Sequence, residues 1–180
     1  IAMAKAEGRD IEAERREMEE RRKDGSGWSW RNDKWKERFE KNASKYQLCL
    51  DCSFENVMTP KEIYSLASQI RFCYAYNKKA KHPVNAKVTN LSGATLEHLQ
   101  DNSGFDQWVH RAFEHTEQGL LDAYPDKTKL VYLTSDSENV LETLKDDKVY
   151  IIGGIVDRNR LKWAAINRAE ELGLATAKFL

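Results

Sequence analysis

From residue 46 to residue 180 the chain keeps one rhythm. Short apolar runs alternate with segments of helical spacing, joined by few residues. The runs are YQLCLD, NAKVTNLS, KLVYLT, KVYIIGG and LATAKFL. Between the first two, Ile63, Leu66, Ala67, Ile70, Cys73 and Tyr74 recur every three or four positions and form one helical face ending near Asn77. Thr59 reads as the N-cap of that helix and Pro60 as its first residue. ATLEHLQDN reads as a short helix, and Ser135-Asp136-Ser137 as the cap of a helix over SENVLETL. RLKWAAINRAEELG reads as a helix with Leu161, Ala164, Ala165, Ile166 and Ala169 inside and Gly173 as its stop. Residues 104–126 show no readable pattern. Strands alternating with helices predict an α/β domain, a mostly parallel sheet with helices on both faces.

Residues 1–45 have a different texture. The first 24 are dense in Glu and Arg, with Ile11 and Met18 as a thin apolar stripe, and read as a solvated helix. Asp24-Gly25-Ser26-Gly27 breaks it. Trp28, Trp30 and Trp35 follow among Lys34, Lys36 and Arg38. Aromatics interleaved with cations stack on bases in some proteins; stapling of this arm to the domain is the favoured reading, because three tryptophans are costly to leave in water. The expected organisation is a charged helical extension over 1–45 and a domain over 46–180.

Composition excludes some functions. Lys plus Arg equals Asp plus Glu, 29 each, so no overall basic charge points to nucleic acid, although the location of charge matters more than its sum. Three cysteines form no disulfide framework, so a reducing compartment is expected and the C-x-x-C of Cys49 and Cys52 reads as structural. No apolar run approaches the ~18 residues of a membrane span, and IAMAKAEGRD has no signal-peptide pattern. The expectation is a soluble intracellular protein without a membrane partner. His82, His98, His110 and His115 are scattered and form no metal motif. There is no G-x-G-x-x-G, P-loop or G-x-S-x-G.

In parallel sheets, ligands sit beyond the carboxyl ends of the strands. Three polar groups project there: Asp51 with Ser53, Thr134-Ser135-Asp136, and Gly153-Gly154 followed by Asp157-Arg158-Asn159-Arg160. The glycine pair suits either a tight strand exit or a ligand lying against the backbone. A second signal is charge. Between Glu62 and Glu97 there is no acid, yet Arg71, Lys78, Lys79, Lys81 and Lys87 lie there, which favours a polyanionic partner.

The segments LCLDCSFENVMTPKEIYSLASQIRFCYAYNKKAKHPV, LVYLTSDSENVLETL and KVYIIGGIVDRNRLK, in that order, resemble the tRNA (guanine-9) N1-methyltransferase family, a branch of the SPOUT or trefoil-knot methyltransferases. The resemblance covers residues 46–180, and the NKKAKHP and DRNR segments agree with its cytoplasmic or nuclear branch. It implies a monomeric, metal-free enzyme that moves a methyl group from S-adenosyl-L-methionine to N1 of guanine nine in tRNA. By motif position, Leu133, Gly153, Asp157, Arg158, Asn159, Arg160, Leu161, Ala165 and Phe179 would line the cofactor. Asp157 would act at the base edge, with Gln69 and Asp51 helping to place the base. Arg158 and Arg160 would meet phosphate or the cofactor carboxylate, and Arg71, Lys78, Lys79 and Lys81 would grip tRNA. The family continues past the last strand through a Pro-containing loop and a helix that complete the knot, whereas this sequence stops at Leu180. The alternative is a non-catalytic tRNA-binding or scaffolding protein that keeps the fold.

Overall fold

The computed structural model describes residues 10–23, 27–103, 105, 108, 113–158 and 160–179. The expectations attached to Asn159, His110, residues 24–26 and Leu180 fall outside these, as do those on the side chains of Ile11, Met18, Trp28 and Trp30. The chain divides into two units, Ile1–Lys41 and Asn42–Leu180.

In the first unit, helix α1 spans Ile11–Lys23, and α2 spans Gly27–Asn42, whose last residue passes into the second unit. Asp10 accepts hydrogen bonds from the backbone N–H groups of Glu12 and Ala13 and so caps α1. In α2, one turn brings Trp35 onto Phe39, with centroids 5.6 Å apart and both rings buried.

In the second unit the strands are β1 (Gln47–Asp51), β2 (Asn85–Thr89), β3 (Phe113–His115), β4 (Leu130–Leu133), β5 (Val149–Gly153) and β6 (Ala175–Ala177). All pairings are parallel, in the order β3-β2-β1-β5-β4-β6. Among the described residues four α-helices accompany them: α3 (Pro60–Lys79), α4 (Gly93–Ser103), α5 (Leu120–Ala123) and α6 (Ala164–Leu172). The connections β1-α3-β2 and β5-α6-β6 step in opposite directions across the sheet. Right-handed crossovers then put α3 and α6 on opposite faces. Side chains agree: Tyr74 of α3 meets the edge of Phe113, while Arg168 of α6 meets Asp51. The register gives Phe113 and Asp51 opposite faces, because Phe113 pairs with Ala86 and Asp51 with Thr89, three residues apart on β2. The predicted parallel sheet with helices on both faces is present.

Helix α3 starts as expected. The Glu62 carboxylate accepts a hydrogen bond from the Thr59 backbone N–H at 2.7 Å. Ile63, Leu66, Ala67 and Ile70 are its buried strip. Cys73, expected on the inner face, is exposed. The last turns are held instead by Tyr74, whose ring stacks on Trp108 at 4.2 Å. Residues 104–126, unreadable as a pattern, thus supply Phe105, Trp108 and Phe113 to the core, together with an edge strand and α5.

Two element assignments need correction. No helix forms over SENVLETL. Residues 134–141 turn at Ser135-Asp136 and follow an irregular path beside β6: Thr134 N–H donates to the Ala177 carbonyl, Lys178 N–H to the Asn139 carbonyl, and Leu141 N–H to the Lys178 carbonyl. Val140 bridges Lys178 in parallel, and the Ser137 and Thr176 hydroxyls lie 2.9 Å apart. These partners satisfy the backbone more fully than an eight-residue helix would. Helix α6 also begins at Ala164, not Arg160, after Trp163 adopts φ of 62°. Leu161 precedes it, and of the expected inner residues only Ala169 is fully buried.

Candidate active site at the carboxyl ends of the central strands

Three strand ends meet here. Asp51 closes β1, Gly153 closes β5, and Leu133 closes β4. Register places Asp51 beside Gly153 and Ile152 beside Leu133.

Asp51 is fully buried, with 0% exposure. One carboxylate oxygen accepts from Asn90 Nδ2 at 2.7 Å and from the Ser53 backbone N–H at 3.3 Å. The other accepts from the Tyr132 hydroxyl at 3.2 Å and lies 3.6 Å from Arg168 Nε. Burial, with the Asp51 charge next, pushes the Tyr132 hydroxyl far above its ordinary value, so it stays a donor. These contacts leave Asp51 facing inward. It ties β1 to β2, β4 and α6, and the expectation that it helps place a base is corrected to a supporting role. Arg168 and Tyr132 are partners that the sequence reading missed. A signal existed for Arg168: it lies three residues after Ala165 on the expected inner face of its helix.

The glycine pair is filled by the chain itself. A Cβ on Gly154 would lie 3.0 Å from the Asp51 carbonyl oxygen and 3.0 Å from Cys52 Sγ. The Gly154 N–H donates to that same carbonyl at 2.7 Å. A Cβ on Gly153 would meet the Phe54 ring at 3.2 Å and the Tyr132 hydroxyl at 3.3 Å. At Gly154 the tight strand exit is realised, whereas Gly153 stays half-buried and meets only side chains. The C-x-x-C belongs to the same packing. Cys49 and Cys52 are buried, and burial pushes the Cys49 thiol up to about 12 and the Cys52 thiol higher still. Among the described residues no group of His, Cys, Asp or Glu is arranged to hold a metal ion.

Beyond the glycines the chain turns sharply. Asp157 accepts the Leu161 backbone N–H through its carboxylate at 2.7 Å and the Arg160 N–H through its carbonyl at 3.0 Å. Arg158 sits within this turn, exposed and at φ of 50°. Arg160, expected at phosphate or a cofactor carboxylate, turns back to the protein. Its Nη2 donates to the Val57 carbonyl at 2.9 Å and to Glu62 at 2.8 Å. The Arg160 guanidinium, with the Thr59 backbone N–H, holds the Glu62 carboxyl down at about 2. Glu62 therefore does two tasks, capping α3 and fastening the 157–161 turn to it.

The face opposite Asp51 differs. Its top row, in register, is Val88, Leu50, Ile152, Leu133 and Ala177. Val88 is fully buried, but Ile152 is 39% exposed, and Phe179 beyond β6 is 63% exposed. Ala165 is half-buried on α6. Gln69 is exposed on α3, as are Lys79 and Lys81 beyond it, whereas Arg71 and Lys78 are half-buried. Arg71 donates to Ser68 Oγ at 3.3 Å, and Lys78 lies over the Tyr74 ring. The site therefore brings together Leu133, Gly153, the 157–161 turn and the Ile152 row. Arg71, Lys78, Lys79 and Lys81 lie toward the other end of α3.

The sheet and its irregular strand exits define a parallel α/β domain, a class whose ligands sit beyond the carboxyl ends of the strands. A family model described as tRNA (guanine(9)-N(1))-methyltransferase TRM10/TRM10A matches residues 2–179. The chain belongs to that family. A tRNA (guanine(9)-N1)-methyltransferase of Schizosaccharomyces pombe is 37% identical over 97% of this chain and 58% of its own length. The tRNA methyltransferase 10 homolog A of Rattus norvegicus is 37% identical over 82% of this chain and 43% of its own. The chain thus spans about half the length of the curated relatives it matches. Among solved structures, the full-length spTrm10–SAH complex is 38% identical, with a TM-score of 0.72 over 76% of this chain and 77% of that one. A dual specific Trm10 from Thermococcus kodakaraensis, 21% identical over 74% of this chain and 76% of that one with a TM-score of 0.56, shares the fold. Among the described residues no helix is long and apolar enough to cross a membrane.

Proposed function

We propose that the full protein methylates N1 of the guanine at position nine of tRNA, using S-adenosyl-L-methionine. The observation that carries the reading is the Asp157 turn, a carboxylate just beyond the end of β5 in a chain whose relatives bear that enzyme's name. A solved relative in complex with SAH supports the cofactor.

The adenosyl group is proposed to lie across the carboxyl ends of β4 and β5, between the apolar row of Leu133 and Ile152 on one face and Ala165 of α6 on the other. This apolar row opens where β5 meets β4, and the exposed Phe179 extends it. Leu133, Gly153, Asp157, Arg158, Asn159, Leu161, Ala165 and Phe179 are the residues proposed to hold the group. Arg160 is proposed to act by fixing the turn, since its guanidinium is engaged with Glu62 and Val57. When bound, the cofactor supplies a methyl group on a sulfonium centre. Guanine N1 carries a proton at neutral pH, so forming the N–CH3 bond requires that proton to leave. Asp157 is the acceptor proposed for it. Orientation adds to proton transfer, because the turn holds the carboxylate through the Leu161 N–H. Gln69 is proposed to steady the base, and Arg71, Lys78, Lys79 and Lys81 to meet tRNA phosphates. A monomer working in the cytoplasm or nucleus completes the reading.

The test is methyl transfer by the full-length protein to an unmodified tRNA transcript, with mass analysis of the product. The expected product is N1-methylguanosine at position nine. Asp157→Asn is expected to lower turnover about 100-fold or more while leaving tRNA affinity unchanged. Full turnover in that variant overturns the role of Asp157. Binding of tRNA with neither product nor cofactor uptake by calorimetry replaces the enzyme with a scaffolding protein.

A further inference from the structure

The outward face of α3 has a composition that its place in the fold does not require. Opposite the buried strip of Ile63, Leu66, Ala67 and Ile70 stand Tyr64, Phe72 and Tyr76, exposed by 54%, 59% and 71%. Tyr64 touches His98 edge-on at 5.5 Å. Neither Phe72 nor Tyr76 stacks on another ring among the described residues. Two large aromatic faces one turn apart in water are unusual on an amphipathic helix, whose outer face is normally polar. Beyond its first turn, α3 carries charge of one sign. Lys61 and Lys79 share the exposed face, Arg71 and Lys78 flank it, and no acid occurs between Glu62 and Glu97.

We infer that Phe72 and Tyr76 form a stacking platform for unpaired nucleotides of the RNA substrate. The inference rests on the proposed tRNA reading and extends it to residues outside the methyl-transfer site. Charge favours a polyanion over an apolar protein partner, and exposed rings flanked by cations are the surface that unpaired bases recognise. Spacing agrees. One helical turn separates the two positions by about 6 Å along the axis, close to the room a base needs between two rings. Position on the helix gives the role. Phe72 lies about 18 Å along α3 from Pro60, and Tyr76 about 24 Å, while the Thr59–Glu62 end carries the 157–161 turn. The platform thus holds RNA remote from the methylated base, and acts on binding without touching the reacting atoms.

The experiment uses the full-length protein with an unmodified tRNA transcript. Phe72→Ala/Tyr76→Ala is compared with Phe72→Tyr/Tyr76→Phe. Both rings are exposed, so the fold is not at risk, and circular dichroism verifies it. The alanine pair is expected to weaken tRNA binding, and raise KM, about tenfold or more, with kcat unchanged. The ring-preserving pair is expected to behave like the parent. A Trp at position 76, introduced as Tyr76→Trp, is expected to be quenched by an unstructured oligouridylate. Unchanged tRNA affinity in the alanine pair overturns the platform and reassigns this face to a protein partner, while the parent's methylation of the same tRNA keeps the functional reading intact. Failure of the parent itself to bind tRNA overturns both. Equal losses in the two pairs show that hydrogen bonding or packing, rather than stacking, is read, and also overturn the platform.

Discussion

Gly154 is held on two sides by β1. Its N–H bonds to the Asp51 carbonyl, and the position of its missing Cβ is bounded by that oxygen, Cys52 Sγ and Cys52 Cα at 3.0, 3.0 and 3.2 Å. Backbone cannot rotate out of the way as a side chain can. Gly154→Ala should therefore lower stability by about 1–3 kcal/mol, the cost of overpacking. Gly153→Ala meets the Phe54 ring and the Tyr132 hydroxyl instead, both ends of side chains, and should cost less than about 1 kcal/mol. Urea midpoints of the two variants check the order; a larger loss at position 153 would contradict this packing. The pair itself stood out in the sequence. What filled the space did not, because residues a hundred positions apart along the chain supply it. Asp51 teaches the same lesson. Its place at a strand end was legible, but its burial depends on Asn90, Tyr132 and Arg168, which arrive from three other elements.

At the scale of elements, two carboxylates join pieces that secondary structure alone leaves separate. Glu55 accepts the Ala94 and Thr95 N–H groups and the Thr95 hydroxyl, capping α4 from a distant loop. Burial would raise its pKa, but these donors outweigh it and the net direction is downward. Glu62 binds Arg160 and is lowered to about 2. The sign is that of a depressed acid. Each contribution is complete above the unfolded value near 4.5 and is lost as pH falls through the folded one. Acid titration of the parent should loosen the 157–161 turn between about pH 4.5 and 2, read as rising hydrogen exchange or proteolysis there. Glu62→Gln should show that looseness already at pH 7 and little further change of the turn on acidification. Equal protection of the turn in parent and variant at pH 7 would contradict the coupling. The start of α3 was readable because Thr59, Pro60 and Glu62 lie within four residues of one another. SENVLETL misled for the opposite reason. Its caps and apolar spacing satisfy the local rules, yet Thr176, Ala177 and Lys178 offer the backbone partners that decide its shape.

Across the whole second unit, strand order sets where stability concentrates. The alternation of strands and helices announced a parallel sheet, but not the sequence β3-β2-β1-β5-β4-β6. That order places β5, fifth along the chain, between β1 and β4, so Gln47 pairs with Val149 and Leu130 with Val149. No periodicity encodes such a choice. The three-residue β3 is also too short to give a period-two signal, so one edge of the sheet was invisible. The consequence is a gradient. Cys49, Ile151 and Tyr132, adjacent across β1, β5 and β4, are each fully buried, whereas Ala175 and Glu114 on the edge strands are exposed. Opening β5 breaks two ladders at once and uncovers the Asp51 network, so its local opening approaches global unfolding in cost. Native-state hydrogen exchange should therefore be slowest in β1, β4 and β5, faster in β3 and β6, and fastest in α1, whose charged sequence offers little apolar surface to bury. Protection at Phe113–His115 equal to that at Val149–Gly153 would mean that β3 is not an edge, and the order of strands that positions the glycine pair beside Asp51 would have to be redrawn.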